Sequence, residues 1–221
     1  MAWSLIANVK YSAGTSSGGT TGSINTTGAN VIVAVVSNVN NIGNFSDNKS
    51  NTYFRINGSS VNDAQRMCAY WICFNPTVGS GHTFTVGGAT VFPTCYVTAW
   101  SGGTNLAGVP GTFTVNSVNS LQAGSQTPQL SNCLLIAALS YRDTTSVSIN
   151  GGFTITDQAP FIAATAIGGA LAYLIQTTAA AANPTWSWTN SVNAAAGLLM
   201  IAAADSSGGG GSSAGGVYGA A

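Results

Sequence analysis

The chain has 221 residues, of which only five are basic and five acidic, all five acids being aspartate, so its net charge is zero. An ordinary soluble domain is about 25% charged, and here 5% leaves neither the basic surface that nucleic acid requires nor most of the groups that general acids, bases and phosphate clamps use. The 45% apolar content argues equally against disorder, since a chain so composed can build a core.

The opening Met1-Ala2-Trp3-Ser4-Leu5-Ile6-Ala7 lacks the basic start and long apolar stretch of a secretory signal, and a cytosolic origin follows as the expectation. The first predicted strand is Val31 to Ser37. A polar loop then leads to Ser46-Asp47-Asn48-Lys49-Ser50-Asn51-Thr52-Tyr53, whose Asp and Asn residues suit an Asx-type turn before a strand over Thr52 to Asn57. Asp47, Lys49 and Asn51 also alternate as the ligands of a calcium loop do. A lysine at a ligand position and the absence of Glu speak for the turn. Asp63 stands near Arg66 and Asp143 directly follows Arg142, and local pairing or solvent exposure explains these carboxylates better than a catalytic pair.

Strands are predicted next over Arg66 to Phe74, His82 to Val86 and Thr94 to Ser101. His82, the sole histidine, offers itself to a Ser-His-Asp relay, but no nucleophile elbow accompanies it. The cysteines Cys68, Cys73, Cys95 and Cys133 all lie in apolar runs without CxxC spacing and read as buried thiols. Cys68 and Cys73 fall on opposite faces of one strand. Cys95 with Cys133 is the pair to test for a disulfide in an oxidising compartment. The Gly87-Gly88, Gly102-Gly103 and Gly151-Gly152 pairs read as hairpin turns, with no helix following to form a phosphate cradle.

Cys133 to Tyr141 is apolar on both faces and is expected to be a central strand, covered on each side. Strands over Phe153 to Thr156, Gly169 to Gln176, Thr185 to Thr189 and Ala194 to Ala203 complete the set. The apolar stretches Ala159 to Ile175 and Ala194 to Ala204 are interrupted or too short to span a bilayer, and no basic amphipathic helix offers a membrane anchor. Trp186 and Trp188, two apart, share one face of a strand and, with Trp100 and Tyr53, are candidates for stacking on a glycan; the alternative is that they fill the space between sheets.

These elements predict an all-β, antiparallel two-sheet sandwich over residues 1–204, jelly-roll-like. The chain also matches itself at an offset near 102 residues. Asn30 to Ser37 falls on Asn132 to Leu139, Met67 to Phe74 on Gly169 to Gln176, His82 to Val86 on Pro184 to Trp188, and Cys95 to Ala99 on Gly197 to Ile201, which suggests two Greek-key halves. Residues 205–221 are a Gly/Ser-rich arm ending in Val217-Tyr218-Gly219-Ala220-Ala221, and Val217 and Tyr218 are its expected anchors on a neighbouring subunit.

The order of an apolar strand, a polar loop, an Asp-Asn-Lys-Ser-Asn-Thr-Tyr turn, an aromatic strand and Gly81-His82-Thr83 resembles a broad group of bacteriophage and prophage β-sandwich proteins. It spans Asn30 to Ser101, with Asp47, Asn51, Thr52, Tyr53, Gly81, His82 and Thr83 matching and Ser50 standing where the pattern prefers Gly. The resemblance implies a virion-surface or tail-associated component. Together with the uncharged surface, it leads to the expectation of a non-enzymatic structural subunit: a head decoration, fibre or other virion protein assembled in the host cytoplasm without cofactors. Its partners would be copies of itself and other virion or assembly subunits, without direct nucleic-acid or membrane contact. The alternatives are an extracellular filament or sheath subunit, and a module binding a surface glycan.

Overall fold

The computed structural model describes residues 2–12, 18–38, 43–56, 67–87, 92–103, 105–106, 111–128, 130–163 and 166–203. The arm with Val217 and Tyr218 lies outside the described residues, as do Asp63, Arg66 and Gly88. In chain order the strands are β1 (Ser4–Ser12), β2 (Gly19–Thr20), β3 (Val31–Asn38), β4 (Asn44–Asp47), β5 (Phe54–Arg55), β6 (Met67–Phe74), β7 (Phe84–Gly87) and β8 (Thr94–Ser101). They continue as β9 (Asn105–Leu106), β10 (Gly111–Gln122), β11 (Cys133–Tyr141), β12 (Ser148–Ile149), β13 (Thr154–Ala159), β14 (Gly168–Gln176) and β15 (Thr185–Ala202).

All of the pairing is antiparallel, as the sandwich reading expects. One five-stranded sheet runs β1-β8-β3-β6-β5, and a seven-stranded sheet runs β10-β15-β11-β14-β13 with β9 and β12 also on β15. The two large sheets therefore divide the chain, each being built from one half. A small sheet, β2-β7-β4, covers the outer face of the first. The outer face of the second is covered by Leu121, Val147, Ala182, Trp186 and Trp188, from β10, the start of β15 and the segments between strands.

Three layers of apolar contact result. Alternate residues of β3 and β11 are responsible: Val31, Val33 and Val35 meet Leu134, Ile136 and Ala138 between the sheets, while Ile32, Ala34 and Val36 point to the small sheet and Leu135, Ala137 and Leu139 to the opposite cover. Both strands are buried over their whole length, which explains their apolar character on both faces.

The internal repeat appears in the register. Val31 pairs with Phe74 and Trp100; residues 102 further on, Cys133 pairs with Gln176 and Ala202. The isolated bridge Ile24 to His82 is similar to Gln126 to Ala182, at offsets of 102 and 100 residues. Contacts between the large sheets follow the same exchange, with β14 on β8 matched by β6 on β15, and β14 on β3 by β6 on β11.

The chemistry of the two inner faces is not equivalent. Tyr70 donates to the Ile136 carbonyl at 3.0 Å, Tyr96 to Gly169 at 2.7 Å, Ser37 to Leu139 at 3.4 Å and Thr94 to Ile167, while the Trp3 indole donates to Asn132 at 2.8 Å. In each of these side-chain bonds the donor belongs to the first half and the acceptor to the second, while one backbone bond runs the other way, from the Ile167 amide to the Phe92 carbonyl at 3.0 Å. The buried residues that the second half brings to this layer are aliphatic instead: Leu134, Ile136, Ala138, Ala159, Leu171, Ala195, Leu199 and Ile201. Gly169 is required by this arrangement: a β-carbon there would lie 2.9 Å from the Ser37 hydroxyl and 3.0 Å from the Tyr96 ring.

Two sequence expectations change. Thr185 to Thr189 and Ala194 to Ala203 form one strand of 18 residues, β15, which bridges the seven-stranded sheet and its cover. Gly102-Gly103 is not a hairpin turn but the crossing between the halves, where a β-carbon on Gly103 would overlap the Trp3 indole. Gly151 and Gly152, at φ 73° and 78°, do turn the chain between β12 and β13, as expected.

Candidate functional site

The end of β4, the turn that follows it and the residues just before β7 bring together most of the motif-like residues of the first half. Asp47 Oδ1 accepts from the Lys49 and Asn51 amides at 2.9 and 3.1 Å, closing the expected Asx turn. Its Oδ2 accepts from Asn51 Nδ2 at 2.7 Å, the Tyr53 hydroxyl at 2.7 Å and His82 Nε2 at 2.9 Å. The Asn51 amide also bridges to Thr77, accepting from its N–H at 2.6 Å and donating to its carbonyl at 3.0 Å. Asn48 clasps the Gly81–Thr83 backbone from the other side, donating to the Gly81 carbonyl and accepting from the Thr83 amide.

The side chains of Asp47 and His82 have no exposed surface. Burial pushes the Asp47 carboxyl up, but the donors from Tyr53, Asn51 and His82 outweigh it and hold the group below its usual range. Burial and then the neighbouring carboxylate push the Tyr53 hydroxyl strongly upward, so Tyr53 keeps its proton and donates it. The His82 ring stacks on Phe84 at 4.4 Å, and Phe45 stands edge-on to Tyr53 at 4.7 Å, closing the apolar side of the cluster.

Thr26, His82 and Asp47 form a hydroxyl–imidazole–carboxylate chain, the Thr26 hydroxyl lying 2.8 Å from His82 Nδ1. It differs from a hydrolytic relay in two respects. Thr26 is fully buried, and its hydroxyl is held between the Gly79 amide at 3.1 Å and the Gly79 carbonyl at 3.3 Å. No substrate carbonyl can approach it. Nor does the turn suit a cation, because N–H and O–H donors occupy the carboxylate on both oxygens. Among the described residues no group of three or more His, Cys, Asp or Glu side chains comes together as metal ligands. The cluster pins the turn after β4 to β7 and to the segment preceding β3. Residues that look like a functional motif in sequence are here a polar lock.

The second half has a simpler lock. Asp143, just beyond β11, accepts from the Asn190 amide at 2.7 Å and side chain at 2.9 Å, and from the Thr145 hydroxyl at 3.0 Å. Burial raises its carboxyl, and the donors from Asn190 and Thr145 more than reverse this, lowering it to about 2. Nothing in the Arg142-Asp143 sequence signals Asn190, which lies 47 residues away.

The tryptophans proposed for glycan stacking are core residues. Trp186 and Trp188 are 0% and 7% exposed, within the cluster that covers the outer face of the seven-stranded sheet, and Trp100 is fully buried between the large sheets. Tyr53 is committed to Asp47. None of the three tryptophans offers a ring face to a sugar.

All four cysteines are buried free thiols. Burial raises Cys68 to about 12 and Cys73 to about 11, and raises Cys95 and Cys133 as well. Cys68 faces between the large sheets, Cys95 the small sheet and Cys133 the cover of the other large sheet. Cys95 and Cys133 therefore sit in separate layers and do not form the disulfide considered from sequence.

No protein-family model matches the chain, and no curated protein sequence is similar to it. A crystal structure of a conserved protein of unknown function from Pseudomonas aeruginosa PAO1 aligns over 90% of this chain and 81% of its own, at 10% identity and a TM-score of 0.27.

Proposed function

We propose that the protein is a non-enzymatic structural subunit of a multisubunit particle, most plausibly a bacteriophage head decoration, fibre or other virion-surface protein assembled in the host cytoplasm. We further infer that each half is a jelly-roll-like unit, since the strands of the first half, apart from the two-residue β5 that precedes β6 in the same sheet, alternate between the five-stranded sheet and β2-β7-β4, and that the chain is a tandem duplication of it.

The observation that carries the reading is where the few charges go. Asp47 and Asp143 are turned inward and consumed by internal donors, and Asp157 faces Lys10 at 3.7 Å. Apart from the exposed Arg55 and Arg142, much of what remains for contact with neighbours among the described residues is Ser, Thr, Asn and Ala, as along 177–181 and at Ser4, Asn8 and Ser12 of β1. Such a surface sets up little electrostatic repulsion between copies at zero net charge. Its association would draw on many weak contacts in parallel, with the 205–221 arm adding a tethered one.

Light scattering of the full chain beside a version ending at Ala204 tests this reading. The expected result is a full-length oligomer that becomes a folded monomer on truncation. Two monomers of equal stability would remove self-association through the arm. Release of subunits into the medium without lysis would favour an extracellular filament instead.

A further inference from the structure

We propose that β10 is the strand through which two copies of this chain join, by antiparallel pairing with its own counterpart across a two-fold axis. The edges of the large sheets are not treated alike. β1 and β13, the edges on one side of the sandwich, lie against each other: Asn8 donates to Asp157 at 2.7 Å, and Lys10 donates to the Gln158 carbonyl at 3.0 Å beside its ion pair with Asp157. Each is also interrupted, β1 between Leu5 and Ala7 and β13 between Ile155 and Asp157. Charge, a bulge and a covering neighbour are the usual means of blocking a sheet edge.

The exchange that relates the halves would set β10 against β5 in the same way. β5, however, is two residues long and β10 is twelve. Among the described residues β10 pairs with β15 alone, at the end of its sheet. Gly111–Gln122 contains no charged residue and no proline, and its irregularities, around Ser117 and Val118, lie beyond Val115, so neither charge nor proline opposes an added strand along its first five residues.

The regular part of the edge is Gly111 to Val115, before the register shifts toward Val118 and Ser120. Pairing this segment with itself about Phe113 sets Thr112 opposite Thr114 and Gly111 opposite Val115. A second copy is the partner that fits, because the strand matches itself in this register, carries no charge that would select a charged ligand, and meets a copy of zero net charge. The contact is isologous and closes as a dimer rather than running on as a fibre. The inference deepens the assembly reading by naming one contact, and it uses residues distinct from the arm.

Hydrogen exchange read by mass spectrometry, over a wide concentration range and alongside sedimentation of the full chain, tests it. The expected result is a dimer in which exchange across 111–115 slows about tenfold or more as the dimer forms, while peptides from β1 and β13 are unchanged. Thr112→Lys with Thr114→Lys should shift the protein to monomer. If that variant fails to fold, the wild-type exchange pattern still decides. A monomer at every concentration overturns the proposal, as does a dimer whose 111–115 amides exchange at a concentration-independent rate. Loss of the oligomer on truncation at Ala204 with no change in β10 would leave the assembly reading standing and remove this one.

Discussion

Ser50 sits in the left-handed region at φ 61°, inside the turn that Asp47 closes. A non-glycine residue there costs about 1–2 kcal/mol, partly offset by the greater freedom glycine has when unfolded. Ser50→Gly should therefore stabilise the protein by about 0.5–1 kcal/mol in a denaturant titration. Asp47→Ala leaves the buried donors of Tyr53, Asn51 and His82 without their acceptor, and a loss of about 3–5 kcal/mol is expected in the same measurement. Both aspartates of the locks are held below their unfolded value of about 3.9. Their contribution is complete above that pH and is lost as pH falls through the folded value, which for Asp143 is about 2. Thermal unfolding between about pH 4 and pH 2 should show this acid limb, and Asp143→Asn should flatten it. The motif residues of the first half were legible as a turn, because Asx chemistry is local. That His82 reaches Asp47 from 35 residues away was not, because the contact depends on β4 pairing with β7.

At the scale of elements, the central strands were legible because burial on both faces leaves a continuous apolar run, as in Cys133 to Tyr141. The edge strands β1 and β10 were passed over. Their half-polar sequences alternate less visibly; in β1, Ser4-Leu5-Ile6-Ala7-Asn8-Val9-Lys10, half-buried and exposed residues take turns and none is fully buried. The tryptophans show the limit of spacing as a signal: two residues sharing a strand face says nothing of which face is wet. Trp186→Ala or Trp188→Ala should cost about 3–5 kcal/mol of stability by chemical denaturation, so neither is a clean probe of glycan binding. Gly169→Ala brings a β-carbon against Ser37 and Tyr96 and is expected to cost about 1–3 kcal/mol in the same assay.

For the whole molecule, the core shared between the large sheets predicts that both halves unfold as one cooperative unit. Gly169→Ala in the second half and Asp47→Ala in the first should shift the same calorimetric transition, with no second peak. The offset of 102 residues was visible in the sequence. Its consequence, that each half supplies one large sheet, was not, because strand order is set by pairing and the apolar blocks alone are compatible with several topologies.

The division of labour across that core also governs encounters between chains. Two first halves brought face to face would oppose tyrosines to tyrosines where the native partner offers alanine, glycine and bare carbonyls. Two second halves would leave those carbonyls without donors and open voids where the tyrosines belong. A half finds its complement only in the other half, and the nearest one is always on its own chain. Many copies can therefore fold side by side at high concentration without trading halves, each closing upon itself.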